Sequence, residues 1–276
     1  MTPPPPYPAI PEPRDLRFDL SDVPKFWHGG RKSVSIFFDN LSLIFPPGER
    51  FFVNAVKSFQ GQVEDPVLRA EMKAFCAQEG HHSREHVRYN QMLAHHGFPA
   101  AQMEARIARF LGAVAHRVSK VRQLGITCAL EHFTALLAWL VLQYPRLLDG
   151  AHPKMAALWR WHAAEEIEHK AVAFDVYQAV GGSLFRRGVQ MILTTLFFWG
   201  WVLRNQVELM RSEGILWSVR EWFQLIDFLF LHRGSLFQLG VPYFRYFGPR
   251  FHPGAHDTRP LLERWKAGPD AQPQRS

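Results

Sequence analysis

His162-Ala-Ala-Glu165-Glu166-Ile-Glu168-His169 is the stretch on which the fold turns. In a helix, residues three and four apart share a face, so His162, Glu166 and His169 point one way as His-x-x-x-Glu-x-x-His. Glu165 and Glu168 are rivals for the same role, but only Glu166 stands three before His169. The inward face of this segment reads Met155, Leu158, His162, Glu166, His169, Ala173, Val176 and Val180, from Pro153 to a stop at Gly181-Gly182. Apolar core positions thus pass directly into metal-type ligands on one helix face.

A second copy of the pattern lies at Glu79-Gly-His81-His82, with His86 one turn further. The segment opens at Asp65-Pro66, a capping residue followed by proline at the first helical position, and stops at Gly97. Leu68, Met72 and Phe75 precede Glu79, His82 and His86 on its inward face, while His81 points away towards the surface. His86 is a candidate catalytic or substrate-contacting group. A third segment, about Val121 to Tyr144, carries Glu131 as its only formally charged side chain from Gly125 onwards. A buried carboxylate needs a cation, a hydrogen-bond network or a metal. The first segment, Glu49 to Phe59, follows the break Pro46-Pro47-Gly48. Glu49 has two readings there: a ligand, or an acidic residue in the first turn that offsets the helix dipole. Phe37-Phe38 and Leu41 to Phe45 read as short extended pieces.

One Glu from each of two helices and one Glu-x-x-His from each of two others, all pointing inward, build a two-metal cage in a helical bundle. The expected ligands are Glu49, Glu79, His82, Glu131, His162, Glu166 and His169. Hard-to-borderline Glu and His donors suit iron or manganese rather than a closed structural zinc site. The expected cofactor is two iron ions, with manganese or a mixed pair as alternatives.

The order of these residues resembles the ferritin-like di-iron carboxylate proteins. His162 ahead of Glu166 resembles the p-aminobenzoate N-oxygenase branch, which implies a seventh protein ligand. Phe45 to Glu49, Glu79 to His82 and Glu165 to Asp175 resemble motifs of a bacterial family catalogued as predicted metal-dependent hydrolase, over roughly residues 30 to 240. The expected fold class is all-α, a ferritin-like four-helix bundle core with a C-terminal helical extension. The expected function is O₂-activating oxidase or oxygenase chemistry on a small or hydrophobic substrate, with an electron donor. The alternatives are a hydrolase using a metal-bound hydroxide and a non-enzymatic iron-binding protein.

The rest of the chain bounds this reading. Of its 276 residues 47% are hydrophobic and 21% charged, which fits a globular protein with a large core. The net charge of +7 makes the surface basic, but no nucleic-acid-binding signature is present, so no nucleic-acid partner is expected. Residues 1–30 read as a Pro-rich extended arm without the marks of a secretory signal. The bundle spans 31–182, with a shorter helix from Ala100 to about His116. An aromatic-rich extension spans 183–265, and a polar tail 266–276. Cys76 and Cys128 read as reduced, buried thiols, consistent with a cytoplasmic protein. Val189 to Leu203 is apolar but short for a bilayer span. It and the segments Trp217 to Leu231 and Leu236 to Phe247 are expected to pack on the bundle, with peripheral contact at the inner membrane as the alternative. A homodimer is compatible with this composition.

Overall fold

A computed structural model describes residues 10–231 and 235–271. The first nine residues of the Pro-rich arm and the last five of the polar tail lie outside the described residues. The described chain is helical with no strand, only an isolated bridge between His28 and Ala151, as expected for an all-α protein.

Helix α1 covers Lys32–Lys57, α2 Pro66–His95, α3 Ala100–Arg117 and α4 Lys120–Gln143. Then follow α5 Pro153–His169, α6 Val172–Ala179 and α7 Leu184–Ser212. Three short helices, α8 Val219–Ile226, α9 Gly240–Arg245 and α10 Arg259–Lys266, complete the chain. The starts obey local chemistry. Asp65 accepts from the Val67 N–H ahead of Pro66, and Ser119 and Ser183 accept from backbone N–H groups at the starts of α4 and α7. Gly97 ends α2 with φ +88°, a conformation open to glycine. The fourth bundle segment breaks after His169 into α5 and α6 rather than running unbroken to Gly181. In packing, α1 lies along α2, α4 along α5, and α7 covers α4 and α1 from outside.

Helix α1 corrects the expectation on two points. It runs unbroken through Pro46 and Pro47, so Glu49 is a mid-helix residue and the helix-dipole reading of it falls away. The expected extended pieces at Phe37-Phe38 and Leu41 to Phe45 are helical too. Ser33 through Leu43 are all buried, so this half of the helix has no solvent face, and Pro46-Pro47 directly after it read as a stop. A proline inside a helix also leaves the carbonyl four residues back without its donor. For Pro46 that carbonyl belongs to Ser42, and Asn90 Nδ2 on α2 reaches it at 3.3 Å. The tertiary contact supplies what the local sequence removes.

Residues 10–31 form no helix but are not idle. Leu16, Phe18, Leu20, Val23 and Trp27 are buried against the bundle. His28 closes this strap: its Nε2–H donates to the Leu147 carbonyl at 2.7 Å, and its Nδ1 accepts from Arg31 Nη2 at 2.7 Å. Burial, with the Arg31 charge, pushes its pKa down to about 4. The unfolded chain binds this proton near pH 6.5, so stability is present above that pH and is lost as pH falls towards 4. The loss amounts to ~3 kcal/mol. His28→Gln, which keeps one donor and one acceptor, is expected to flatten the fall in melting temperature over this window. An unchanged pH profile in the variant would assign the acid sensitivity elsewhere.

Candidate metal centre

Four helices deliver the expected side chains to one place. Glu49 comes from α1, Glu79, His82 and His86 from α2, Glu131 from α4, and His162, Glu166 and His169 from α5. All eight are buried, none more than 3% exposed. Their ligand-type atoms fall into overlapping groups within 4.8 Å: Glu79, Glu166 and His169; Glu49, Glu79 and His82; His82, His162 and Glu166; and Glu49, His86 and His162. Glu79 and Glu166 recur on both the His169 side and the His82 side. Glu131 joins through its Oε2, 3.5 Å from His169 Nε2. His86 is not apart from the cluster: its Nε2 lies 2.7 Å from His162 Nδ1.

The electrostatics of the centre are unbalanced. Both carboxylate oxygens of Glu49, Glu79 and Glu131 are buried with no well-formed hydrogen bond among the described residues, as are Glu166 Oε2 and His169 Nε2. Burial, reinforced by the neighbouring carboxylates, pushes the pKa of Glu49, Glu79 and Glu131 upward. Glu166 goes the other way. Burial opposes its ionisation, but the close contact with His162 (3.1 Å) and the nearby charge of His169 (3.7 Å) hold it well below the ordinary carboxylate range. His169 is raised in turn despite its burial, because Glu166, Glu79 and Glu131 surround it. His82 and His86 are pushed down by burial and by His162, so both stand neutral.

Proton bookkeeping leads to the same shortage. Asn90 spends its N–H groups on the Ser42 carbonyl and on Glu104, so its Oδ1 accepts from the Ser42 hydroxyl at 2.8 Å. His86 Nδ1–H must then donate to Ser42 Oγ at 2.9 Å. Its bare Nε2 accepts from His162 Nδ1–H. In a neutral ring this leaves the His162 Nε2 lone pair facing Glu166 Oε1 at 3.1 Å. Only a positive charge between them, a proton or a metal ion, reconciles that contact.

Around this centre lies a shell that the sequence reading missed. Gln78 Oε1 accepts from His169 Nδ1 at 2.9 Å, which turns His169 Nε2 towards Glu79 and Glu131. Glu165 Oε2 sits 3.1 Å from His82 Nε2, which leaves His82 Nδ1 facing inward, 3.7 Å from Glu166. Gln78 Nε2 donates to Glu168 at 2.8 Å. Glu165 and Glu168, rivals for the ligand role in the sequence, therefore face outward and orient the two histidines. Outer partners of this kind set the tautomer and ring position of metal-binding histidines. Both carboxylates are tied by Arg14 of the strap. Its guanidinium bonds Glu168 through two N–H groups at 2.9 and 3.0 Å, and its backbone N–H donates to Glu165 at 2.9 Å. The one sequence signal for this shell was three carboxylates in four residues of a buried helix: the two off-face ones had to find a cation.

Aromatic rings close the centre, with Phe75 against His169, Trp161 against His82, and Phe45 against both His86 and His162. An apolar cavity of about 70 Å³ touches His162 and Glu166 and is walled by Phe45, Ala138, Trp159 and Ala163. A larger one, about 260 Å³, between α1, α3, α4 and α7 shares Phe45 and Thr134 with it and reaches Gly48 beside Glu49.

An all-helical bundle with a buried Glu/His cluster of this shape defines a protein with a candidate metal centre. A family model described as predicted metal-dependent hydrolase matches residues 12–257. The chain belongs to that family, and the match is wider than the 30–240 expected from the motifs. No match was found among curated proteins or among solved structures. The family description speaks for metal-dependent hydrolysis, the alternative reading of the sequence. It lends no support to the expected O₂-activating chemistry, to a ferritin-like assignment or to iron as the metal.

Proposed function

We propose that the chain is a two-metal hydrolase acting on a small apolar substrate. One observation carries the reading: four buried carboxylates, three of them with no well-formed hydrogen bond among the described residues, converge with four buried histidines on one place. Without cations, such a cluster costs several kcal/mol per uncompensated ion. Two divalent ions would offset that charge and suit the donors. In this reading Glu49, Glu79, His82, Glu131, His162, Glu166 and His169 would hold the ions, with Glu79 and Glu166 common to the groups on both sides of the cluster and His86 behind His162.

A metal pair would supply Lewis-acid activation of water and of the scissile carbonyl. The chain's own residues do the rest. Glu165 and Gln78 hold the histidines in register. The aromatic walls exclude bulk water, and the small cavity admits an apolar group beside His162 and Glu166. A hydrophobic ester or amide fits that cavity better than a charged substrate, because its walls carry almost no polar group besides His162, Glu166 and Thr134.

The deciding measurement is metal content together with turnover. The protein as purified is expected to hold two ions per chain and to cleave short-chain acyl esters or amides without O₂. Stoichiometric O₂ uptake on adding reductant, with no cleavage under anaerobic conditions, would overturn hydrolysis in favour of O₂ chemistry. One ion per chain would overturn the two-metal centre. Ala138→Leu is expected to fill the cavity at an overpacking cost of ~1–3 kcal/mol. It should leave two ions bound and lower kcat/KM at least tenfold, more for longer acyl groups. Equal turnover in the variant would place the substrate elsewhere.

A further inference from the structure

The centre explains the interior of the protein but not its outside. Of the eighteen large hydrophobic side chains that stand exposed among the described residues, all but Ile10 and Val67 fall between Leu184 and Phe244. On α7 they follow the helix. Phe185, Ile192, Leu196 and Leu203 lie within about 40° of one another around the axis and extend roughly 27 Å along it. Leu196 is 67% and Phe185 81% exposed, whereas Met191, Thr194, Phe198 and Val202 on the opposite face are buried. The next segment repeats the device with Val219, Phe223, Ile226 and Phe230 at helical spacing, after Trp217, which is 90% exposed. The two stripes meet, since Leu203, Ile226 and Phe230 wall one open apolar cavity of about 480 Å³. Scattered apolar residues need no explanation, but a contiguous patch of this extent marks an interaction site.

Its charge says with what. Residues 184–207 contain Arg186, Arg187 and Arg204 and no carboxylate. Three of the four carboxylates that follow are engaged by the bundle: Glu208 pairs with Arg106 at 2.6 Å, Glu213 with Lys25 at 2.7 Å, and Glu221 accepts from the Ser33 N–H at 2.9 Å. Arg186, Arg204, Arg220 and Arg245 stand exposed around the apolar stripes. An apolar band edged with arginine, on a chain of net charge +7, matches the boundary between headgroups and acyl chains of an anionic bilayer. A second copy of the chain would set arginine against arginine.

We propose that this chain docks on an anionic membrane surface through α7 and the 217–244 segment, with α7 lying in the plane of the interface. Among the described residues α7 lacks the combined length and composition of a spanning helix, and its other face is packed on α4 and α1. The helix with the length and composition to cross, α4, has 72% of its most apolar stretch buried and carries Glu131 into the centre. The cavity between α1, α3, α4 and α7 is lined by Leu193 and Phe197 of the exposed surface and by Gly48 and Phe52 next to Glu49. Docking would therefore set an apolar pocket against the lipid.

The test is flotation of the full chain with vesicles of phosphatidylcholine alone and of phosphatidylcholine with phosphatidylglycerol at about 7:3. Binding is expected to be at least tenfold tighter on the anionic vesicles and to weaken with salt. It should drop at least tenfold in the double variant Leu196→Asp, Phe223→Asp. Both positions are exposed, so circular dichroism and metal content are expected to stay unchanged; if the variant misfolds, quenching decides instead. Brominated phosphatidylcholine mixed into the anionic vesicles should quench tryptophan fluorescence, and Trp217→Phe should remove a large part of that quenching. No flotation at low salt, equal flotation of a folded double variant, or no quenching would overturn the proposal. So would a dimer that the double variant dissociates while vesicles bind neither form. None of these readouts requires turnover, so failure here leaves the two-metal hydrolase standing, and failure of that reading leaves the docking surface standing.

Discussion

Glu166→Ala is expected to yield a folded protein that holds no stable metal pair and has lost at least a thousandfold in kcat/KM, ~4 kcal/mol of transition-state stabilisation. Glu166 is the carboxylate that lies within 4 Å of three of the facing histidines: 3.1 Å from His162, and 3.7 Å from both His82 and His169. It is also the one that the site keeps ionised, while burial drives Glu49, Glu79 and Glu131 towards the protonated form. Its loss therefore removes the preformed negative charge shared by the two sides of the cluster. Glu166→Gln separates charge from shape, because it preserves volume and a hydrogen bond to His162 but not the anion. Metal analysis of both variants after equilibration with excess iron, manganese or zinc is the check. Two ions retained in Glu166→Gln would show that Glu166 is an orienting group and not a shared ligand.

Arg14→Ala is the second large effect, and it acts from outside the centre. The Arg14 side chain is 11% exposed, and those of its partners Glu165 and Glu168 are 0% and 4% exposed. Removing one partner of a buried ion pair leaves an uncompensated charge and costs ~3–5 kcal/mol. The charge left uncompensated is that of Glu168, which Lys266 at 3.7 Å offsets in part; burial pushes Glu165 up to about 8, so it loses hydrogen-bond donors rather than a counter-charge. Glu165 and Glu168 are also the groups through which His82 and, by way of Gln78, His169 are oriented. Metal affinity is therefore expected to fall ~10–100-fold as well, the usual effect of losing an outer partner of a metal ligand. Arg14→Lys keeps the charge but not the paired N–H geometry, so it should recover most of the stability and less of the affinity. Thermal melts with and without metal, beside a competition titration with a chelator, separate the two effects. A stability loss with affinity intact would reduce the strap to a structural clamp.

The legibility of the candidate centre followed the range of the interactions involved. Glu79 with His82, and His162 with Glu166 and His169, are set by spacing within one helix. A three- or four-residue interval converts directly into a shared face, and the structure brings all of them together. Glu131 was legible for an energetic reason: a lone carboxylate in an apolar helix has to meet a cation or a proton. Glu49 was found despite a mistaken local account, since Pro46 and Pro47 read as a break and the structure carries the helix through them. His86, read as a catalytic candidate, lies inside the cluster beside His162. Arg14 and Gln78 were not legible as participants. Nothing local distinguishes an arginine in a Pro-rich arm, or a glutamine beside a glutamate, from solvated surface.

By itself the sequence determined the helical class, the course of most helices and the side chains able to form the cluster, because helical periodicity and the cost of burying charge act along a single segment. Only the tertiary structure decided that α1 is continuous, with Asn90 serving the carbonyl that Pro46 strips. It alone tied Arg14 to carboxylates about 150 residues away, turned Glu165 and Glu168 outward, and left α7 with an uncovered apolar face. Each of these depends on which distant segments meet, and that is settled by packing the whole chain at once, not by the composition of any one stretch.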